Sequence, residues 1–132
     1  MNVLVDTSVW SAALRRGKLA DSAVARELRN LILGHKVEMI GPIRQELLSG
    51  IREPAQVKRL EKNLAAFPDL ELETDDYVMA AKFFNVCRAQ GVQGSHTDFL
   101  ICAVGVRRKL SIFTNDKDFL SFEKHLPIML HK

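Results

Sequence analysis

Short apolar segments alternate with longer segments of helical periodicity along the whole chain, and this alternation restricts the fold more than any other feature. Residues Val3–Val5 form the first apolar segment, and Ser111–Thr114 form another far down the chain. Between them, apolar residues recur at i, i+4, i+7 and i+8, the spacing of one helical face. Strands separated by helices favour a parallel sheet covered by helices. The sequence therefore predicts a three-layer α/β/α fold with a central, mainly parallel sheet.

The turn and capping residues give approximate bounds for these elements. Strands are predicted at 3–5, 37–40, 70–73, 111–114 and 128–130. The first helix is predicted after residues 6–8, with Ser8 as its cap, and the second from Asp21 or Ser22 to Gly34. Two more are predicted over 41–50 and from Pro54 to Phe67. The last two are predicted from Asp75 and Asp76 to Ala89 and over 98–108. Residues 15–20 and 115–122 are predicted to be loops, the second with one helical turn.

Length and composition indicate an ordinary globular chain. The 132 residues, 47% apolar and 27% charged, predict a single domain over 1–132. The N-terminus lacks a secretory signal pattern, and the longest apolar stretch is too short to span a bilayer, so we expect a cytoplasmic protein without membrane contact. Cys87 and Cys102 lie in apolar helical patterns without CxxC spacing and are expected to be buried free thiols.

Four carboxylates stand beside the most apolar segments or just past predicted strands. Asp6 and Asp116 follow strands, Glu46 lies in the helix after the second strand, and Asp98 opens a strongly apolar helix. Ligands of parallel α/β sheets bind beyond the carboxyl ends of the strands, which is where Asp6 and Asp116 are expected.

Each carboxylate also has an ordinary structural interpretation. Asp6 is a candidate helix cap, Glu46 an exposed helix residue, Asp98 a favourable charge at a helix N-terminus and Asp116 an Asx-turn residue. Together, however, several charges beside apolar segments are costly unless compensated, and one divalent cation would compensate several of them. Oxygen ligands without His or Cys at ligand spacing favour Mg²⁺ or Mn²⁺ over zinc. Of the four histidines, His96 alone lies near the predicted site.

The motifs that carry these acids resemble those of PIN-domain ribonucleases, specifically VapC-type toxins of bacterial toxin–antitoxin pairs. The matching stretches are Val3-Leu4-Val5-Asp6-Thr7-Ser8, Glu46-Leu47-Leu48-Ser49-Gly50, Asp98-Phe99-Leu100-Ile101-Cys102-Ala103 and Thr114-Asn115-Asp116-Lys117-Asp118-Phe119. Each is a weak signal alone, but the four follow in the family's order over nearly the whole chain. Cys102 stands where the family commonly has alanine.

The resemblance implies a PIN-like fold and a set of acidic metal ligands. That set is Asp6, Glu46, Asp98 and Asp116, with Mg²⁺ or Mn²⁺ as the cofactor. Residues expected to support the ligands or bound water are Thr7, Ser8, Thr114, Asn115 and Asp118. The implied activity is endoribonucleolytic hydrolysis of RNA phosphodiester bonds without a nucleophilic side chain.

The resemblance also implies partners. These are an RNA substrate, a small VapB-like antitoxin that covers the acidic cleft, and a second copy in a homodimer. The net charge of +3 permits phosphate contacts, and Arg15, Arg16 and Lys18 are the first candidates for holding RNA. The helical faces containing Val57 or Val24 are candidate contact surfaces or simply core.

Two other functions share features with this sequence. A phosphotransfer domain also ends its first strand on an aspartate, but the phosphatase pattern requires a second aspartate where this chain has Ser8. A catalytically silent PIN-like module that binds RNA or protein is the main alternative. Metal-dependent cleavage that is lost in an Asp6→Asn variant distinguishes the enzyme from this module.

Overall fold

The centre of the molecule is a parallel sheet built on the first apolar segment. The computed structural model describes residues 1–14 and 22–132. Its strands are β1 (Val3–Val5), β2 (Val37–Glu38) and β3 (Ser111–Phe113), in the order β2-β1-β3. Val3 pairs with Val37 on one side and with Ser111 on the other. All three residues of β1 are buried because the strand is central and covered on both faces.

Seven helices in the described residues flank this sheet. They are α1 (Thr7–Ala13), α2 (Ala23–Leu33), α3 (Gly41–Ser49), α4 (Pro54–Leu64), α5 (Thr74–Ala89), α6 (His96–Arg107) and α7 (Asp118–Glu123). Helix α1 packs against both α2 and α3, and α3 packs against α4. Helix α5 packs along α6, and α6 packs against β3. The predicted three-layer α/β/α fold with a parallel sheet is confirmed.

The predictions of two edge strands are wrong. Residues 70–73 and 128–130 form no strand, and each region contributes one isolated parallel bridge, Met39 with Asp69 and Ile112 with Leu130. The Leu70 N–H donates to the Met39 carbonyl oxygen at 2.8 Å, and the Ile112 N–H donates to that of Met129 at 2.8 Å. The chain therefore touches both sheet edges without forming a continuous ladder.

Several helix starts also differ from the prediction. Ser8 is not a cap: it lies inside α1, whose N-cap is Asp6. Helix α5 begins at Thr74, and its N-cap is Glu73. Asp76 lies within the first turn, and its side chain accepts the Glu73 N–H at 2.8 Å. Helix α6 begins at His96, with Ser95 as its N-cap. Ser22 caps α2 as predicted, and its Oγ accepts the Ala25 N–H at 3.1 Å.

The apolar helical faces are used mainly for the core. Leu28, Leu31 and Leu64 are buried, and Leu60 and Phe67 are half-buried against the same cluster. Cys87 and Cys102 are buried free cysteines, as predicted. Burial raises the pKa of both thiols. In Cys102 the charges of Asp98 and Asp6 and the neighbouring Cys87 add to this effect.

A buried aspartate joins the start of α5 to the end of α6. The Asp76 side chain is fully buried, and its two oxygens accept hydrogen bonds from Arg107 Nη1 at 2.6 Å and Arg108 Nη2 at 3.0 Å. Burial raises the pKa of Asp76, but the Glu73 N–H and the two guanidinium groups together lower it more, so the net pKa lies below its ordinary value. The ion pairs therefore favour the charged carboxylate in the folded state.

Acid should weaken the fold through Asp76. Because the folded pKa is lowered, this carboxylate stabilises the fold above its unfolded pKa of about 4, and that contribution is lost as the pH falls through the folded value. Urea unfolding between about pH 5 and pH 2 should show a decline in the free energy of unfolding that is shallower in Asp76→Asn. Equal slopes in the two proteins would contradict the assignment.

No helix in the described part of the chain is long and apolar enough to cross a membrane. The single domain over 1–132 stays a prediction.

Candidate active site

Asp6 lies at the carboxyl end of β1, where the strand passes directly into α1. Its N–H donates to the Phe113 carbonyl oxygen at 2.9 Å, which extends the pairing of β1 with β3 by one residue. Its side chain is only 5% exposed. The Asp6 Oδ2 atom accepts the hydroxyls of Ser8 at 2.7 Å and Thr114 at 2.8 Å. The buried carboxylate is therefore fixed by one donor from its own helix and one from the end of the neighbouring strand.

Thr114 connects Asp6 to Asp116. While its Oγ1 donates to Asp6, the same atom accepts the Asp116 N–H at 2.9 Å. The Asn115 N–H donates to the Ser8 hydroxyl oxygen at 3.0 Å. These bonds hold the turn after β3 against the start of α1, so Asp116 is placed at the same sheet edge as Asp6.

Asp98 reaches this edge from the first turn of α6. Its Oδ2 accepts the Ser95 N–H at 3.0 Å, and the Asp98 N–H donates to Ser95 Oγ at 3.0 Å. Burial raises the pKa of Asp98, the Ser95 hydrogen bonds lower it, and the charges of Asp6 and Asp116 raise it further. The net pKa lies above its ordinary value. The charges of Asp6 and Asp116 therefore act on Asp98, although the three residues come from distant segments of the chain.

Glu46 lies beside this group on α3. Its Oε1 accepts the hydroxyl of Thr7 at 2.7 Å, so the residue next to Asp6 connects α1 to α3. Glu46 is exposed, and the charges that raise the pKa of Asp98 are those of Asp6 and Asp116. Glu46 is thus tied to the rim of the acidic edge.

The donor chemistry of this edge fits a hard divalent cation. In the described residues, each of the four carboxylates has one oxygen bound by the chain, and no hydrogen bond reaches Asp6 Oδ1, Asp98 Oδ1, Asp116 Oδ2 or Glu46 Oε2. Carboxylates that repel one another and keep a free oxygen are suitable ligands for Mg²⁺ or Mn²⁺. Within residues 1–14 and 22–132, however, no three His, Cys, Asp or Glu side chains already form a group able to hold a metal ion.

The other predicted residues take different positions. The Asp118 N–H donates to Asp116 Oδ1 at 2.9 Å, so the backbone of Asp118 orients the carboxylate while its side chain is exposed. Asn115 also acts through its backbone, but its N–H donates to the Ser8 hydroxyl oxygen and not to a carboxylate. His96 stacks on Phe84, with ring centroids 5.1 Å apart, and makes no hydrogen bond to the acids in the described structure. Arg15, Arg16 and Lys18 lie outside the described residues.

Ser95 is a site residue that the predicted set does not contain. Its backbone N–H and its side chain both bind Asp98. The signal was present, because a serine three residues before an acidic residue at a helix start is typical of a capping box.

The molecule is thus a three-layer α/β/α domain with a cluster of carboxylates at the carboxyl edge of its parallel sheet. The chain belongs to the PIN-domain family, whose family model matches residues 3–124. PIN domains are generally nucleases. No curated protein matches the sequence.

Solved structures of similar shape confirm the fold. FitAcB from Neisseria gonorrhoeae superposes with a TM-score of 0.78 at 20% identity, over 98% of this chain and 96% of that one. VapBC2 from Rickettsia felis, bound to a DNA fragment from its promoter, gives a TM-score of 0.79 at 13% identity, over 99% and 98%. VapBC-5 from Mycobacterium tuberculosis, a member of the VapBC family of toxin–antitoxin systems, gives a TM-score of 0.71 at 19% identity, over 100% of this chain and 99% of that one.

Proposed function

We propose that this protein is a metal-dependent endoribonuclease and the toxin of a toxin–antitoxin pair. One observation supports the proposal most strongly: the Thr114 hydroxyl donates to Asp6 Oδ2 at 2.8 Å and accepts the Asp116 N–H at 2.9 Å, which holds these two acidic residues together beyond β1 and β3. Besides burial, the charges of both also raise the pKa of Asp98. Membership of the PIN-domain family and the similarity in shape to chains of VapBC and FitAB complexes support the same function.

The proposed roles follow from how each carboxylate is held. Ser8 and Thr114 fix one oxygen of Asp6, Ser95 fixes one oxygen of Asp98, and the Asp118 N–H fixes one oxygen of Asp116. The remaining oxygens are the proposed metal ligands, with Glu46 at the rim. Because the supporting bonds keep the ligands oriented before a metal arrives, less ordering is required when it binds.

Bound Mg²⁺ or Mn²⁺ would supply activation of a water molecule and stabilisation of charge on the phosphodiester. Without a cation, the acidic edge repels the RNA phosphates, so cleavage should depend on added metal. Arg15, Arg16 and Lys18 remain candidates for holding the RNA backbone.

Metal binding provides the direct test of the proposed site. Isothermal titration of Mg²⁺ or Mn²⁺ should show saturable binding in the wild type and in Glu61→Gln, a control that removes an exposed charge on α4. Binding should be lost or greatly weakened in Asp6→Asn and Asp98→Asn, which each remove one ligand charge.

The outcome discriminates between the two functions that the sequence left open. A wild type that binds no metal and cuts no RNA would make these carboxylates caps and turn residues. The catalytically silent RNA- or protein-binding module would then be the better interpretation.

A groove beside the acidic edge suggests where the antitoxin would bind. It is bounded by α1, α3 and α4, has apolar walls that include Trp10, Leu47 and Leu60, and contains Glu46. A peptide segment seated among the apolar residues would come close to the acidic edge. A basic side chain from that segment could then compensate the carboxylates as a metal ion would. We therefore propose that the antitoxin occupies this groove and covers the site.

The homodimer and the cytoplasmic location are further parts of the proposal. On the helical faces suggested as contact surfaces, Leu28, Leu31 and Leu64 are buried, and Val24, Ile32, Leu60 and Phe67 are partly buried against the core. The mass of the purified chain in solution, measured by light scattering, tests the dimer directly.

A further inference from the structure

A second groove lies between α5 and the start of α6. Its walls include Tyr77, Phe84 and Arg88 from α5 and His96 and Thr97 from α6, and it has a volume of about 490 Å³. This volume falls in the range of about 300–1,000 Å³ that is typical of small-molecule sites. The groove is distinct from the one beside Glu46, and no residue lines both.

Aromatic and guanidinium groups are stacked inside this groove. The His96 imidazole lies nearly parallel to the Phe84 ring, with an interplanar angle of 18° and centroids 5.1 Å apart. The Arg88 Cζ atom lies 5.4 Å from the centroid of the same ring. Phe99 fixes Phe84 from below, edge to face at 5.3 Å. His96 is exposed, so the stack ends in a flat ring that a further planar group can cover.

The groove carries a positive charge without a matching negative one. Arg88 donates to Asn85 Oδ1 at 2.8 Å, which is a neutral partner, and no carboxylate lines the groove in the described residues. Tyr77 adds a further aromatic side chain to the groove, and this residue is 53% exposed. Flat rings beside an unpaired cation suit a ligand that is planar at one end and anionic at the other.

The position of the groove relates it to the acidic edge. His96 and Thr97 line the groove and directly precede Asp98 in the first turn of α6, so the groove includes the end of the helix that carries this carboxylate. RNA-binding proteins commonly read unpaired bases by stacking them on aromatic or arginine side chains.

We propose that this groove binds one unpaired base of the RNA substrate, stacked on His96, with Arg88 contacting the adjoining phosphate. The proposal rests on the ribonuclease function proposed above and adds a recognition site for single-stranded RNA beside the cleavage site. It also accounts for an exposed histidine and an exposed tyrosine that neither the core nor the acidic edge uses.

The test measures binding alone and not cleavage. The full chain carrying Asp6→Asn is titrated with fluorescently labelled oligoadenylate and with an abasic oligomer of equal length and charge, in Mg²⁺. Adding His96→Ala should weaken binding of oligoadenylate by about 5- to 100-fold, the usual effect of losing one stacking contact, and should leave the abasic oligomer unaffected. His125→Ala removes another exposed histidine and should change neither affinity. Arg88→Ala should weaken binding of both oligomers.

Three results would overturn the proposal. The first is equal oligoadenylate affinity in the His96→Ala and His125→Ala chains. The second is binding of adenosine monophosphate as tight as that of the oligomer, because the groove would then be a site for free nucleotides. The third is a dimer that becomes a monomer in His96→Ala, which would make the groove a contact between two copies. Failure of the nuclease proposal would appear instead as cleavage that is unchanged by Asp6→Asn.

Discussion

Replacing Asp6 with asparagine should reduce the rate of RNA cleavage by about 10²- to 10⁴-fold, because metal-ion stabilisation of the reacting phosphate is worth several kcal/mol. The substitution keeps an oxygen of similar position, so the hydroxyls of Ser8 and Thr114 retain an acceptor. It removes the negative charge and replaces the free oxygen Oδ1, a proposed metal ligand, with an NH2 group. The fold should therefore survive, and circular dichroism should show an unchanged spectrum while the cleavage rate in Mg²⁺ falls.

Two variants serve as controls for this result. Glu61→Gln removes an exposed charge from α4 and should cut RNA at the wild-type rate. Loss of cleavage in Asp6→Asn purified in the same way would exclude a contaminating ribonuclease as the source of activity. Thr114→Val removes the hydroxyl that contacts both Asp6 and Asp116 and should reduce the rate by about 10- to 100-fold, as loss of a ligand-orienting group usually does. Wild-type cleavage by Asp6→Asn would mean that Asp6 is only the N-cap of α1.

Local sequence signals were sufficient for most of the architecture. The apolar segment before Asp6, the Gly41-Pro42 start of α3 and the serine cap of α2 each appear in the structure where the sequence indicated. These features depend on residues that are close together in the chain. The common location of Asp6 and Asp116 could also be predicted, because the carboxyl ends of parallel strands meet at one edge of the sheet.

Features that depend on distant residues could not be predicted. The bond from Thr114 to Asp6 spans 108 positions, and the pairing of Arg107 with Asp76 spans 31. Alternating Leu70-Glu71-Leu72-Glu73 indicates a strand locally, yet whether it pairs depends on how closely it approaches the sheet edge. Its contact with the sheet edge is the bridge of Asp69 with Met39 and the hydrogen bond from the Leu70 N–H to the Met39 carbonyl oxygen. Local propensity was overridden there by tertiary packing.

The largest expected loss of stability comes from Phe99, the first core residue after Asp98. Its ring is 2% exposed and lies between Phe84 and Phe122, with centroid distances of 5.3 Å and 4.8 Å. A Cβ atom on Gly94 would lie 3.0 Å from the Phe99 ring and 2.6 Å from that of Phe122, so the backbone has closed tightly over both rings. A cavity at Phe99 therefore has little freedom to collapse by movement of its neighbours.

Phe99→Ala should lower the free energy of unfolding by about 3–5 kcal/mol, the range for deletion of a buried phenyl ring. Urea unfolding measures the loss. Leu120→Ala, which truncates an apolar side chain that is 55% exposed, should change stability by less than about 0.5 kcal/mol and provides the matched control. Because the same ring supports the first turn of α6, Phe99→Ala should also weaken metal binding by Asp98 under conditions where the variant remains folded. A loss no larger than that of Leu120→Ala would show that the Phe84, Phe99 and Phe122 rings are not packed together in solution, and the positions of Asp98 and of the stack on His96 would then need to be revised together.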